Sequence, residues 1–116
     1  MSSLLAITVY VPVTHAPAIR AALATAGAGS IGHYDSCSFS SVGVGRFRPC
    51  DGAKPFIGSV GALEEVAEER IETEVARSRL SAVLRALRAA HPYESPAIHV
   101  TELLPIDWKL VEGDAP

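Results

Sequence analysis

Apolar and polar residues alternate along the first stretch of the chain. Leu5, Ile7, Val9 and Val11 point one way and Thr8 and Tyr10 the other, which predicts a strand over Leu4–Val11. Pro12 closes it, because proline cannot donate to a ladder. The period then changes. Ile19, Ala22, Leu23 and Ala26 follow at helical spacing, with Thr14 as the expected N-cap, Pro17 in the first turn and Gly27 as the stop. Ile31–Phe47 reads as a second strand, rich in Ser and Gly, with Gly43 and Gly45 marking a bulge or bend. Breakers crowd the next stretch, so residues 46–61 are expected to form a glycine-rich loop. Glu65–Val75 alternates again: Ala67, Ile71, Thr73 and Val75 face one way, Glu68, Arg70, Glu72 and Glu74 the other. Arg77–Ala90 is the clearest helix, its stripe being Leu80, Val83, Leu84 and Leu87. Pro92 ends it by pushing His91 out of the helical region. Ala97–Leu104 is the last strand, and residues 105–116 form a tail containing Trp108.

The order is β-α-β-β-α-β. It predicts an α+β, ferredoxin-like fold: an antiparallel four-stranded sheet with two helices on one face. At 116 residues one domain, 1–116, is expected, with roughly two-thirds of its unfolded surface buried. A 48% hydrophobic and 20% charged composition excludes a disordered chain. Lys and Arg number 10 against 13 Asp and Glu, a balance that speaks against nucleic acid as a partner. No apolar run approaches the roughly 18 residues of a membrane span, so no membrane partner is expected. No secretory n-region and apolar core open the chain, so the cytoplasm is the expected location and Cys37 and Cys50 the expected free thiols.

Four groups of residues have chemistry to offer. His91, Tyr93 and Glu94 surround a rigid proline turn. They either hold a metal or polar ligand, or His91 caps the helix while Tyr93 packs and Glu94 accepts hydrogen bonds. His33, Asp35 and Cys37 alternate, so on a strand they share a face. His33 and Cys37 would then lie about 13 Å apart, too far to hold one ion without a partner such as His91 or Glu94. Arg46, Arg48 and Lys54 lie among glycines and suit an anion, although no GxxxxGK[ST] is present. The acidic run from Glu64 to Glu74 reads as a solvated strand face, with Arg46 or Arg48 placed to pair across strands or subunits. No nucleophile has a base at hydrogen-bond spacing, so catalysis is not expected.

The stretches 30–39, 43–49, 55–61, 69–72 and Ala90-His91-Pro92-Tyr93-Glu94 occur in an order that resembles the YqfO-type domain. That domain occurs alone or inserted in Nif-three-like dinuclear-metal toroid proteins. The resemblance covers residues 5–104 and points to a standalone domain of that type. The His-Pro-Tyr-Glu stretch is also similar to the CutA proteins, which share this fold with the PII proteins. It implies self-association, a trimer first and a dimer as the alternative. It does not carry over the dinuclear site, because those metal ligands lie in flanking domains. The expected function is a binding module. Its cleft between subunits would be built from the loop, Tyr34–Cys37 and His91–Glu94. Tyr34, Cys37, Arg46, Arg48 and Tyr93 would contact a small anion, and His33, Asp35, His91 and Glu94 a divalent metal ion. The alternatives are a metal-assisted hydrolase and a regulatory adaptor that meets a protein through the loop.

Overall fold

The computed structural model describes residues 1–113. Four strands form one antiparallel sheet in the order β2-β3-β1-β4: β1 Leu4–Pro12, β2 Phe39–Phe47, β3 Glu64–Ala76 and β4 Ile98–Leu103. Helix α1 spans Ala16–Ala26 and α2 spans Leu80–Ala90. The alternation in β1 sends Leu5, Ile7, Val9 and Val11 into the core, where Ile71 and Val75 of β3, Ile19 and Leu23 of α1 and Val83 and Leu87 of α2 meet them. All ten are at most 3% exposed. Each such side chain contributes about 1.5–3 kcal/mol by leaving water, so this layer drives folding. Both helices cover the face that carries these residues. The other face presents Thr8, Tyr10, Arg70, Glu72 and His99.

Register explains the length of the molecule. β1 pairs with β3 from Leu4–Ala76 to Pro12–Glu68. β2 and β3 continue past that point, from Val44–Ala67 to Phe47–Glu64. The hairpin therefore overhangs the sheet, and the molecule reaches 64 Å along its long axis.

Several sequence expectations need correction. Thr14 does not cap α1: Val13–His15 make a turn of 3-10 helix, His15 takes the N-cap position, and the Thr14 hydroxyl lies 2.9 Å from His15 Nδ1. Arg77–Arg79 are likewise a 3-10 turn, so α2 starts at Leu80. Gly27 does stop α1, at φ 106°. The second strand begins at Phe39 rather than Ile31. Ile31 and Tyr34 exchange both backbone hydrogen bonds at 2.9 Å around Gly32, whose φ is 57°, which makes a tight turn. Ser36, at φ 58°, turns the chain again. Arg46 and Phe47 belong to β2, so the glycine-rich loop runs from 48 to 63. Leu104 lies outside β4, and the tail holds a short helix α3, Trp108–Glu112, whose first N–H groups are capped by Asp107 Oδ1. Positions 114–116 of the tail lie outside the described residues.

Candidate functional site

A cleft of about 320 Å³ lies where the overhanging hairpin, the loop and the α2–β4 turn meet. Tyr10, Phe47, Phe56 and Tyr93 give it aromatic walls, and Pro49, Pro55 and Ile57 add apolar surface. Arg46, Arg48, Glu68 and Glu94 bring charge. A mostly apolar hollow with a few convergent polar groups is the usual form of a small-ligand site.

The α2–β4 turn is held from behind by His91. This residue is buried; its Nε2 lies 2.7 Å from the Tyr10 carbonyl oxygen, and its Nδ1 accepts the Tyr93 N–H at 3.1 Å. The carbonyl needs a donor, so the proton sits on Nε2 and the imidazole is neutral. Burial lowers its pKa from 6.5, against the smaller raising effect of the Tyr10 carbonyl. Both ring nitrogens are engaged, and in this arrangement His91 has no lone pair for a metal ion. Tyr93 stacks edge-on against Phe47 at 5.7 Å and donates its phenol O–H to Glu68 at 2.7 Å. Burial and the Glu68 carboxylate push the phenol pKa well above its ordinary value. Gly45 makes room for this pair: a Cβ there would collide with the Glu68 carboxylate.

Glu94 ties the loop to the turn. Its Oε2 accepts the Lys54 N–H at 2.7 Å, while its own carbonyl oxygen accepts from Arg88 Nη1 at 2.7 Å. Phe56 packs edge-on against His15 at 5.3 Å. Arg46 pairs with Glu65 across the hairpin at 3.0 Å. Arg48 is exposed, and no ion pair involves it among the described residues. Glu72 pairs with Arg70 at 2.7 Å.

The fold separates the expected residues into two groups. Arg46, Arg48, Tyr93 and Glu94 line the cleft, with His91 behind it. Tyr34, Asp35 and Cys37 lie elsewhere, as does His33. Cys37 N–H bonds to the Gly29 carbonyl at 2.9 Å, and the Cys37 carbonyl accepts from Thr73 Oγ1 at 2.6 Å. Thr73 is five residues along β3 from Glu68, about 17 Å. His33 and Tyr34 sit exposed in the tight turn, so the shared strand face of His33, Asp35 and Cys37 does not exist. Among the described residues no three His, Cys, Asp or Glu side chains are grouped to hold a metal ion. Both cysteines are free thiols, Cys50 being exposed and Cys37 half-buried. Sequence reasoning missed Tyr10, Phe56 and Glu68 as cleft residues. Tyr10 read as a strand face residue and Glu68 as one of many solvated acids; only the tertiary contact with Tyr93 distinguishes the latter.

The "GTP cyclohydrolase 1 type 2 homolog" of Mycobacterium leprae is 50% identical over 97 residues, 84% of this chain but 25% of that protein. A crystal structure of a Bacillus cereus protein related to NIF3 superposes with a TM-score of 0.76 at 45% identity, covering 88% of this chain and 26% of that one. In sequence, this chain is a relative of the NIF3-related proteins. It spans about a quarter of their length. No family model matches it. The CutA of Archaeoglobus fulgidus, a periplasmic divalent cation tolerance protein, superposes with a TM-score of 0.65 at 15% identity, covering 94% of this chain and 92% of that one. That likeness shows the ferredoxin-like fold. No helix among the described residues is long and apolar enough to cross a membrane.

Proposed function

We propose that this chain is a self-associating, non-catalytic binding module whose loop-end cleft takes a small anionic ligand. The observation that carries this reading is Arg48, a cation with no ion-pair partner among the described residues, on the wall of a cleft lined by Phe47, Phe56 and Tyr93. A guanidinium beside aromatic faces suits a planar anion, because it offers forked N–H donors while the rings offer stacking area. The metal half of the expectation draws on His33, Asp35, His91 and Glu94, which one chain distributes over both ends of the sheet. With both His91 ring nitrogens engaged, His33, Asp35 and Glu94 are left, and a shared metal site would need a second copy to bring those ends together. The printed name of the relatives supplies one probe, GTP, and inorganic phosphate supplies a smaller one. Self-association is supported by the hairpin that overhangs the sheet with Val42 and Val44 bare, and by the unpaired outer edges of β2 and β4.

The test is a native mass spectrum of untagged protein purified without chelator, followed by calorimetric titration with GTP and with phosphate. An oligomer that carries or takes up an anion, and loses it in Arg48→Ala, supports the reading. Equal binding in wild type and Arg48→Ala removes the cleft assignment. Hydrolysis of GTP's phosphoanhydride bonds by the pure chain, with release of inorganic phosphate, replaces the binding module with an enzyme.

A further inference from the structure

The loop across the cleft is bonded mainly to itself. Gly61, at φ 86°, closes its neck by donating its N–H to the Pro49 carbonyl at 2.8 Å. Two more bonds turn the chain inside the loop, Ala53 N–H to the Cys50 carbonyl at 3.0 Å and Ala62 N–H to the Ser59 carbonyl at 3.2 Å. Pro49 is buried and anchors one side of the neck. A segment whose ends meet and whose bonds close within it is an Ω-loop, and it can swing at its neck without unravelling.

Little else fastens it. Among the described residues one hydrogen bond ties the loop to another element, Lys54 N–H to Glu94 Oε2. One aromatic pair does the same, Phe56 against His15, and Phe56 is still 53% exposed there. The post that catches the loop is rigid by contrast. Arg88 Nη1 of α2 holds the Glu94 carbonyl oxygen, and the Tyr10 carbonyl holds His91 at the start of the same turn. A fixed backbone thus presents a carboxylate to a movable partner. The cleft wall divides along the same line. Pro55, Phe56 and Ile57 belong to the loop, whereas Phe47 and Arg48 precede its neck and Tyr93 stands on the turn. Opening uncovers the cation and two aromatic faces together; closing puts a bound ligand under apolar cover.

We propose that residues 50–60 form a lid on the cleft and that Glu94 is its latch, a positioning residue that sets how fast a ligand enters and leaves. The ligand rests on the anion reading of the cleft; the latch is a property of the free chain.

The Phe56–His15 contact reports the lid separately from the latch bond, because the Phe56 ring current shifts the His15 ring protons when the lid is shut. By proton NMR of the free protein, Glu94→Ala should move those signals most of the way to their positions in Phe56→Leu. The Ala53 and Gly61 amides should exchange as slowly as in wild type, because the loop swings as one body. Glu94→Gln keeps an acceptor oxygen at the same reach and should retain most of the shift. Stopped-flow binding of GTP labelled on its ribose with methylanthraniloyl then reads the gate. Glu94→Ala should raise the association and dissociation rates alike, about tenfold for one hydrogen bond to a charged acceptor, and leave Kd within about threefold. An unchanged His15 signal in Glu94→Ala overturns the latch. Fast exchange at Ala53 and Gly61 in that variant shows a loop that unravels, and overturns the lid. Faster dissociation with unchanged association makes Glu94 a ligand contact and overturns the gate. Wild type that takes up neither labelled GTP nor phosphate overturns the anion reading and with it the gating of a ligand; the His15 signal then supports or overturns the latch by itself.

Discussion

The two ends of the sheet hold similar residue types and do different work with them. At the Gly29–Cys37 end the chain is stapled to β3 through backbone groups: Gly29 N–H to Glu74 at 2.7 Å, Cys37 N–H to Gly29 at 2.9 Å and Thr73 to the Cys37 carbonyl at 2.6 Å. Its His33 and Asp35 point to solvent without a common partner. At the loop end the side chains converge. His91, Tyr93 and Glu68 form a linked series, Glu94 holds the loop, and Arg48, with no ion pair among the described residues, stands at the wall of a cleft. A histidine near a carboxylate in sequence thus says little about a site. What matters is whether the backbone there is consumed by its own turn or is held from behind by other elements, leaving side chains free to meet.

Substitutions that separate these roles should differ in size. The largest loss of stability is expected from Gly29→Val. Gly29 has φ 84°, and a Cβ there would lie 2.6 Å from the Cys37 carbonyl oxygen and 2.8 Å from its nitrogen. Backbone strain and a broken staple should together cost about 2–4 kcal/mol in urea unfolding. A loss below about 1 kcal/mol would show that this end is not a structural staple.

His91→Ala comes next. It strands the Tyr10 carbonyl and the Tyr93 N–H, at about 2–3 kcal/mol. The wild-type pH dependence should show the same residue. The folded chain holds its imidazole below 6.5, the value for the unfolded chain. Below pH 6.5 the unfolded chain therefore binds more protons, so the His91 contribution is whole above that pH and declines as pH falls. Midpoints measured from pH 7.5 to 5 should fall in wild type and fall less in His91→Gln; equal slopes would contradict the buried neutral imidazole.

Tyr93→Phe keeps the ring against Phe47 and removes the bond to Glu68, for about 1 kcal/mol. Arg48→Ala should leave the urea midpoint within about 0.5 kcal/mol of wild type while weakening phosphate or GTP binding at least tenfold, read by calorimetry. His33→Ala should change neither stability nor binding in one chain, because the side chain is exposed in a turn whose bonds are backbone bonds. A His33→Ala variant that loses the anion would mean that the two ends meet across subunits.

Much of the fold was legible along the chain. Period-2 alternation in Leu4–Val11 and Glu65–Val75 and the helical stripe of Leu80, Val83, Leu84 and Leu87 depend on nearest neighbours and on one face meeting a core, and those elements stand where the pattern places them. The error over Ile31–Ser38 has a local cause. Alternating polar and apolar residues look like a strand, but positive φ at Gly32 and Ser36 turns the chain, and their bonds close within the segment. The cleft was half legible. Arg46, Arg48, Tyr93 and Glu94 were visible as motif residues; Tyr10, Phe56 and Glu68 were not, since nothing in their neighbours sets them apart.

The sequence by itself determined the order of elements, the core and the relationship to the NIF3-related proteins, because periodicity and motif order are properties of the linear chain. Only the tertiary structure decided which motifs meet. The antiparallel register carries the β2–β3 hairpin past Pro12, places the 48–63 loop against the α2–β4 turn, and keeps Cys37 about 17 Å away along β3. Register is set by which side chains enter the common core, and that is a property of all the strands together.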